Sequence, residues 1–230
     1  MTRDPESMGE ESATLLLDAA WFDTSLLDAA TFQRLVALTR AAERLWSDVS
    51  MRPVALNPSH KAHSVRVALL SMRIAEAMGF DSERARRTLW AAFLHDIGNL
   101  AVPEPIILKA GRLTRAERAE MEVHPIVGSE LLNAFPATRD LARIVLAHHE
   151  RADGQGYPRG LPGRIIPMEA RILAVADALD AMTSKRPYRD PMQFPAALDE
   201  IVREAGRQFD PRVVAALDRT RQCQRADSVW

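Results

Sequence analysis

The chain has 230 residues, of which 47% are hydrophobic, enough for one large domain or one domain with an extension. Its formal net charge of −1 and pI near 6.6 give no electrostatic reason to expect a nucleic-acid polymer as partner, and leave room for a small anion bound by a few arginines. The single cysteine, Cys223, excludes an intramolecular disulfide. Without a signal peptide or an uncharged apolar stretch of about 18 residues, we expect a cytoplasmic protein that has no membrane partner.

The first 56 residues divide into an acidic start and an apolar region. Residues 1–12 are polar and acidic, which predicts disorder. Residues 13–56 carry apolar side chains at helical spacing, which predicts two helices followed by a polar turn. The main domain is then expected over residues 57–220, with a tail over residues 221–230.

Helical periodicity, capping residues and glycine stops predict a series of helices in the main domain. The predicted helices cover residues 60–78, 81–94 with a continuation to about Gly98, a segment from Thr114, a segment continuing after Pro125, and residues 140–150, 168–183, 194–205 and 211 onward. Asp81 and Asp210 are the expected N-caps, and Thr114 with Glu117 has the form of a capping box.

Two segments are predicted to be loops: residues 103–114, and residues 151–167, which are dense in glycine and proline. Strand signals are nearly absent, because apolar and polar residues do not alternate over any sustained run. The predicted fold class is therefore all-α, a helical bundle.

Histidine and aspartate residues recur in order along these helices. Five of the six histidines take part, together with three aspartates: His63, His95, Asp96, His124, His148, His149, Asp177 and Asp180. Imidazole and carboxylate ligands suit divalent iron, manganese or zinc, and two ions bridged by a carboxylate would make a phosphoester-cleaving centre. Any one of these histidines alone is more often a structural residue of the core. Two doublets in a chain with so few other histidines favour a metal site.

The doublets set a geometric condition. Neighbouring side chains on a helix diverge by about 100°, so His95 and Asp96 cannot simply share one ion within a helix. Asp96 can instead bridge two ions while His95 binds one of them. His148 and His149 would serve best at a helix end, next to the glycine-rich loop.

Several long segments together resemble the HD-GYP domain, a family of bacterial cyclic di-GMP phosphodiesterases within the HD superfamily of metal-dependent phosphohydrolases. They are HSVRV, LHDIGN, HPIVGSELL, RQFDPRVV and HHERADGQGYPRGLPGRIIPMEARILAVADALDAMTSKRPYR, within residues 63–217. The resemblance implies a helical bundle with a Gly/Pro-rich loop over the metal site. It also implies hydrolysis of cyclic di-GMP to linear pGpG, and to GMP if a second cut follows.

The resemblance also implies roles for individual residues. The implied metal ligands are His63, His95, Asp96, His124, His148, His149 and Asp177, with Asp96 as the bridging, catalytic carboxylate. The implied substrate contacts are Asn99, Tyr157, Asp180, Arg186 and Arg189. A packing role for Tyr157 and a solvated turn for the two arginines stay open. Glu150 and Asp153 flank the site, where either could orient a ligand histidine and Glu150 could equally continue its helix.

Two positions depart from the family pattern. Ser59 stands where members with three ions carry a glutamate, so we expect two ions, iron or manganese, and no third. Asn99 stands where the family usually has a lysine that helps to hold phosphate. Losing that charge-assisted bond would cost roughly 1–3 kcal/mol, or about ten- to a hundredfold in rate. A catalytically weakened binding or regulatory module, and a phosphohydrolase for another cyclic dinucleotide, are therefore kept as alternatives.

The expected partners follow from the same features. Cyclic di-GMP is the expected ligand, and no nucleic-acid polymer is expected. Only about 60 residues precede His63, so we expect no receiver domain and a regulatory protein acting in trans. The apolar stripe in residues 13–56 could extend the bundle, dock such a partner or form a homodimer.

Overall fold

A computed structural model describes residues 58–185 and 190–227 of the chain, with side chains from Ala62 to Thr220 apart from the same gap. The predictions for residues 1–57, for Arg186 and Arg189, and for the side chains of Ser59 and Cys223 lie outside the described residues. Within the described part the regular structure is helical and no strand is formed. The predicted all-α class is confirmed.

The described residues form nine α-helices and one 3-10 helix. In chain order they are α1 (Pro58–Ala77), α2 (Ser82–Phe93), the 3-10 helix (Ile97–Ala101), α3 (Glu104–Ile107), α4 (Arg115–Met121), α5 (His124–Asn133), α6 (Arg139–Leu146), α7 (Met168–Thr183), α8 (Phe194–Arg203) and α9 (Pro211–Asp227). None of the described helices has the combination of length and apolar content that crossing a bilayer requires.

The predicted caps are confirmed. The Asp81 carboxylate accepts a hydrogen bond from the Arg84 backbone N–H at 2.8 Å, which caps α2. Thr114 and Glu117 form the reciprocal capping box at the start of α4, with distances of 2.7 and 3.3 Å. At the start of α9, the Asp210 carboxylate accepts from the Arg212 N–H at 2.8 Å.

Several predicted boundaries were wrong. Helix α2 ends at Phe93 instead of continuing to Gly98, since the chain tightens there into a turn and a 3-10 helix. Helix α6 ends at Leu146, four residues before its predicted end, because backbone bonds to carbonyls three residues back close its last turn. The segment expected to be a loop contains the short helix α3, whose Pro105 lies in the first turn, where a missing N–H costs nothing. The expected tail instead continues α9 to Asp227 through arginine and glutamine, which favour helix.

The core of the bundle lies between α1, α2 and α7, and α9 packs on both α1 and α7. Its fully buried side chains come from every long helix, and burying one leucine or isoleucine contributes about 1.5–3 kcal/mol. Examples are Ile74, Ile144, Leu173, Leu179, Ile201 and Val213. Helix α5 packs on α6 and on the 3-10 helix. This arrangement brings the end of α2, the start of α5 and the end of α6 to the same region as the first half of α1 and the middle of α7.

Candidate metal centre

Five segments deliver the histidines and aspartates singled out in the sequence. His63 lies on α1 and Asp177 on α7, whereas His124 is the first residue of α5. Both doublets lie just beyond a helix end: His95 and Asp96 after α2, and His148 and His149 after α6. Beyond a helix end, successive side chains no longer have to point about 100° apart. Both members of a doublet can therefore face one site.

The side chains converge into two groups that could each hold a metal ion. One group is His63, His95 and Asp177, and the other is His124, His148 and His149. Within each group the ligand atoms lie within 4.8 Å of one another. Such sets of imidazole and carboxylate donors suit borderline divalent ions.

Asp96 lies between the two groups and turns one oxygen to each. Its Oδ2 is 3.3 Å from His95 Nε2, and its Oδ1 is 3.7 Å from His124 Nε2. The carboxylate thus faces both groups, because its doublet lies in a turn beyond the end of α2.

Three of the histidines are held in one tautomer by the backbone. Each Nδ1 lies close to the carbonyl oxygen three residues earlier: His95 to Ala92 at 2.7 Å, His124 to Met121 at 2.8 Å and His148 to Val145 at 2.6 Å. A carbonyl oxygen can only accept, so each Nδ1 carries the proton and donates it. In the neutral form of any of these rings, Nε2 then presents a lone pair to the site.

The fit of a cation to this site can be judged from His124 and His148. Their Nε2 atoms lie 3.2 Å apart. Burial, together with the neighbouring His149 and His124, holds the pKa of His148 well below its usual value, and burial lowers that of His149 to about 4. Because Nδ1 of each ring donates to a backbone carbonyl, the two Nε2 atoms face each other with lone pairs whenever both rings are neutral. A bound cation relieves that repulsion, so the residues fit a metal ion.

His95 and Asp96 carry opposite charges when no cation is bound. Burial acts to lower the pKa of His95, but the Asp96 carboxylate outweighs it and raises that pKa to about 9. The same attraction, against the effect of burial, holds the pKa of Asp96 well below its usual value. Because a metal ligand must be a neutral imidazole, binding of a cation at His95 has to release a proton.

His63 is oriented by a side chain rather than by the backbone. Its Nδ1 lies 2.8 Å from Oδ2 of Asp180, and its Nε2 is 3.4 Å from Oδ1 of Asp177. Asp180 is 0% exposed and also binds the Arg66 guanidinium through both oxygens, at 2.6 and 3.0 Å. The predicted substrate contact at Asp180 does not fit this geometry, because the carboxylate is enclosed behind His63 and its oxygens are already occupied.

Arg66 is the functional candidate that the sequence reasoning missed. It is 8% exposed, although an arginine in a helix normally reaches solvent. Its position three residues after His63 puts both side chains on one face of α1. An arginine on the same face as a ligand histidine was the available signal.

The glycine-rich loop covers the His148–His149 side of the site. The Tyr157 ring lies 4.8 Å from the His149 ring, and the Tyr157 N–H donates to the His149 carbonyl at 3.2 Å. Gly156 is required at this approach, since a Cβ there would lie 2.4 Å from the Arg151 nitrogen. Tyr157 thus combines the packing role with a position beside the metal-ligand groups.

Glu150 and Asp153 orient the loop and not a ligand histidine. The buried Glu150 carboxylate accepts hydrogen bonds from the backbone N–H groups of Arg159 and Leu161, each at 2.8 Å. Asp153 accepts from Arg151 at 2.8 Å and from the Gln155 N–H at 3.0 Å. Glu150 also lies beyond the end of α6, so it does not continue the helix.

Asn99 lies in the 3-10 helix, three residues after Asp96. Its backbone N–H donates to the Asp96 carbonyl at 2.9 Å. Its side-chain Oδ1 is buried without a hydrogen-bond partner. A buried polar atom normally finds a partner, so Oδ1 of Asn99 is left as an unsatisfied acceptor beside the Asp96 turn.

The comparison with known families decides the assignment. The sequence profile of the HD domain matches residues 48–213 of the chain. The chain belongs to the HD domain family. The family resemblance expected from the motifs is thereby confirmed.

Relatives of this HD domain include proteins with named activities. The chain is 46% identical over 160 residues to the cyclic di-GMP phosphodiesterase response regulator RpfG of Xanthomonas campestris pv. campestris, covering 68% of this chain and 42% of that protein. It is 39% identical over 160 residues to 3'3'-cGAMP-specific phosphodiesterase 2 of Vibrio cholerae, covering 68% of this chain and 30% of that protein. The matches thus span less than half the length of these curated relatives.

A solved structure shows the same fold. Bd1817, an HDG"Y"P protein from Bdellovibrio bacteriovorus, superposes with a TM-score of 0.58 at 17% identity. The superposition covers 94% of this chain and 69% of that one. At this level of identity the likeness concerns the helical architecture of the HD domain alone.

Proposed function

We propose that this HD domain is a metal-dependent phosphodiesterase that hydrolyses cyclic di-GMP. The observation that carries the proposal is the position of Asp96, with one carboxylate oxygen toward each of the two groups of metal ligands. A bridged pair of ions is suited to phosphodiester hydrolysis. The relative at 46% identity that is named a cyclic di-GMP phosphodiesterase supports the substrate.

Two ions are proposed, iron or manganese. Each group offers three ligand atoms and shares Asp96, and the donors are nitrogen and oxygen without a thiolate. When bound, the ions would supply an activated water and would neutralise charge on the phosphate. Ser59 offers only a hydroxyl where a third ion would need a carboxylate, which supports two ions rather than three.

The residues of the chain perform the remaining work. Asp96 holds the two ligand groups at one spacing, and the Nδ1–H bonds keep each imidazole turned inward before the substrate arrives. Tyr157, stacked beside His149, would border the substrate. Arg186 and Arg189 would hold phosphate oxygens with their forked donors. The first product is then linear pGpG, with GMP following if the site accepts that product for a second cut.

A second substrate has one observation in its favour. The relative at 39% identity is named a 3'3'-cGAMP-specific phosphodiesterase, and a hybrid cyclic dinucleotide has the same backbone as cyclic di-GMP. Asn99 supports a third version, in which the site binds nucleotide and cleaves it slowly. All three share the same metal centre and differ in substrate or rate.

The test is turnover by protein purified without oxygen and loaded with Fe(II) or Mn(II). Cyclic di-GMP, 3'3'-cGAMP and cyclic di-AMP are followed by chromatography, with Asp96→Asn as the inactive control. We expect cyclic di-GMP to disappear fastest and pGpG to form first. Metal-loaded protein that cleaves none of the three contradicts the proposal, and faster cleavage of 3'3'-cGAMP selects the second substrate.

A further inference from the structure

His63 differs from the three other histidines whose Nδ1 partners are described. His95, His124 and His148 all donate Nδ1–H to a backbone carbonyl three residues earlier. His63 faces a carboxylate, Asp180, which lies 117 residues away in sequence. A carbonyl is neutral and fixed by the helix itself, whereas a carboxylate is charged and has to be held in place by other residues.

The Asp180 carboxylate is held by a complete set of donors. Its Oδ1 accepts from Arg66 Nε at 2.6 Å, and its Oδ2 accepts from Arg66 Nη2 at 3.0 Å and from Ser184 Oγ at 3.2 Å. Oδ2 also lies 2.8 Å from His63 Nδ1. Both side chains of the Arg66–Asp180 pair are buried, so water competes for none of these contacts. The paired guanidinium keeps Asp180 ionised and in one orientation.

Two carboxylates of helix α7 therefore contact His63, one at each ring nitrogen. Asp177 lies at 3.4 Å from Nε2, and Asp180, one helical turn later, lies at 2.8 Å from Nδ1. The Nη2 atom of Arg66 also donates a hydrogen bond to Oγ of Ser184 at 2.9 Å, and Ser184 is the residue that follows the end of α7. The ring of His63 thus cannot turn unless the Arg66–Asp180 pair moves.

We propose that Arg66 and Asp180 are positioning residues that set the metal affinity of one half of the centre, the His63–His95–Asp177 group. The inference rests on the proposed metal-dependent function, and it adds that the affinity for one of the two ions is set separately from the affinity for the other. A carboxylate behind a ligand histidine fixes its tautomer and raises its basicity. The His124–His148–His149 group uses backbone carbonyls or loop contacts instead, so the Arg66–Asp180 pair acts on one ion and not on the other.

The test uses Zn(II), a diamagnetic ion that accepts imidazole and carboxylate ligands. Zinc is titrated into metal-free protein while the side-chain nitrogens of the histidines are followed by NMR, which reports each ligand group separately. Bound zinc per chain is measured in parallel. The variants are Asp180→Asn and Arg66→Lys.

In both variants we expect the His63 and His95 signals to need about 10- to 100-fold more zinc. The His124, His148 and His149 signals should shift at the same zinc concentration as in the unaltered protein. At zinc concentrations that saturate both groups of the unaltered protein but only the tighter group of a variant, the content per chain should fall from two ions to one. In the metal-free state, His63 should change its Nδ1 signal, whereas His95, His124 and His148 should not, because they keep their backbone partners.

Glu169→Gln is the matched control. Glu169 is also buried on α7 and also binds arginines, with Oε1 at 2.8 Å from Arg84 and 3.1 Å from Arg87. It precedes Asp177 by eight residues, about 12 Å along the helix axis. If the effect on zinc came from a general loss of packing, this variant would show it as well. Because we attribute the effect to Arg66 and Asp180 alone, we expect the zinc titration of Glu169→Gln to match that of the unaltered protein.

The outcomes separate the inference from the proposed function. Equal weakening of both ligand groups, or no weakening of either, overturns the inference. If Asp180→Asn does not fold, Arg66→Lys decides, because its ammonium keeps the charge and loses the bidentate grip. An unaltered protein that binds no metal overturns the proposed function instead, and one that binds two ions without turnover leaves the inference standing.

Discussion

Gly98 lies so close to the backbone carbonyl of His124 that a Cβ on Gly98 would be 1.9 Å from that oxygen. The same Cβ would lie 2.6 Å from the backbone nitrogen of Gly128. The turn that carries Asp96 therefore presses against the first turns of α5. This contact brings the Asp96 carboxylate within reach of His124. Gly98, which has no side chain to bind a metal, therefore sets the distance between the two ligand groups.

Replacing Gly98 by alanine should force the turn and α5 apart. We expect a loss of about 1–3 kcal/mol in the free energy of unfolding, as in other overpacked sites, and loss of one bound ion. Urea unfolding and metal content measure the two effects. Gly79→Ala is the control: a Cβ there meets nothing within 4 Å, and the positive φ of 81° alone should cost about 1 kcal/mol with both ions retained. Full metal content in the Gly98 variant would contradict the role assigned to this contact.

Removal of metal should destabilise the protein. The site presents several imidazole lone pairs in a buried space, and an ion at about 100 times its Kd stabilises the folded state by about 2.7 kcal/mol. Thermal unfolding with Mn(II) and after chelation measures the difference. His148→Ala should abolish most of the shift. No change in melting temperature on chelation of fully loaded protein would count against a metal centre here.

Metal binding should also release protons. Because His95 has a pKa of about 9 beside Asp96, it is protonated at neutral pH in the metal-free protein and must become neutral to bind a cation. Calorimetry in buffers of different ionisation heat counts the protons released. We expect about one per centre at pH 7.5 from His95, and none would show that His95 is not a ligand.

Glu150→Gln should loosen the glycine-rich loop. The glutamine amide would place a donor against one of the two backbone N–H groups, those of Arg159 and Leu161, that the carboxylate now accepts. We expect a cost of about 1–3 kcal/mol, faster proteolysis within residues 151–167 and a raised KM for cyclic di-GMP. Glu117→Gln removes a carboxylate that accepts a backbone N–H outside the site, and its KM should be unchanged. If the KM of Glu150→Gln is as unchanged as that of Glu117→Gln, the loop does not contribute to substrate binding.

Asn99→Lys should raise the rate if phosphate contact limits the enzyme. A charge-assisted bond to phosphate is worth roughly 1–3 kcal/mol more than none, which corresponds to about ten- to a hundredfold in kcat/KM. Asn133→Lys adds the same charge on the exposed end of α5 and should have no effect. A fast unaltered enzyme that gains nothing from lysine would show that Asn99 does not limit catalysis.

Stability should fall at low pH through Asp210. Burial acts to raise its pKa, but hydrogen bonds from Arg212 and Arg171 hold that pKa well below the usual value. A carboxyl group with a lowered folded pKa stabilises the protein above its unfolded pKa of about 3.9 and loses this contribution as the pH falls further. Urea unfolding between pH 6 and pH 2 should show a steeper loss for the unaltered protein than for Asp210→Asn. Asp199→Asn, at an exposed position of α8, should keep the steep loss.

Local patterns predicted much of the fold and singled out the histidines and aspartates that converge in the two groups. The limits of α7, the cap at Asp81 and the capping box at Thr114 follow from periodicity and from short-range hydrogen bonds, which act within a few residues. The ends of α2 and α6 could not be predicted, because the turns after them are formed against other segments. Gly98 meets α5, and Glu150 meets the backbone of the following loop.

The sequence by itself determined the all-α class, the order of the histidines and aspartates and the family to which they point. Only the tertiary structure decided which side chains share a group, that Asp96 divides its oxygens between two groups, and that Asp180 stands behind His63 with Arg66 instead of facing a ligand. The physical reason is separation along the chain. Asp180 meets Arg66 across 114 residues, and such a contact is selected by burial and charge pairing in the packed core and leaves no trace in local periodicity.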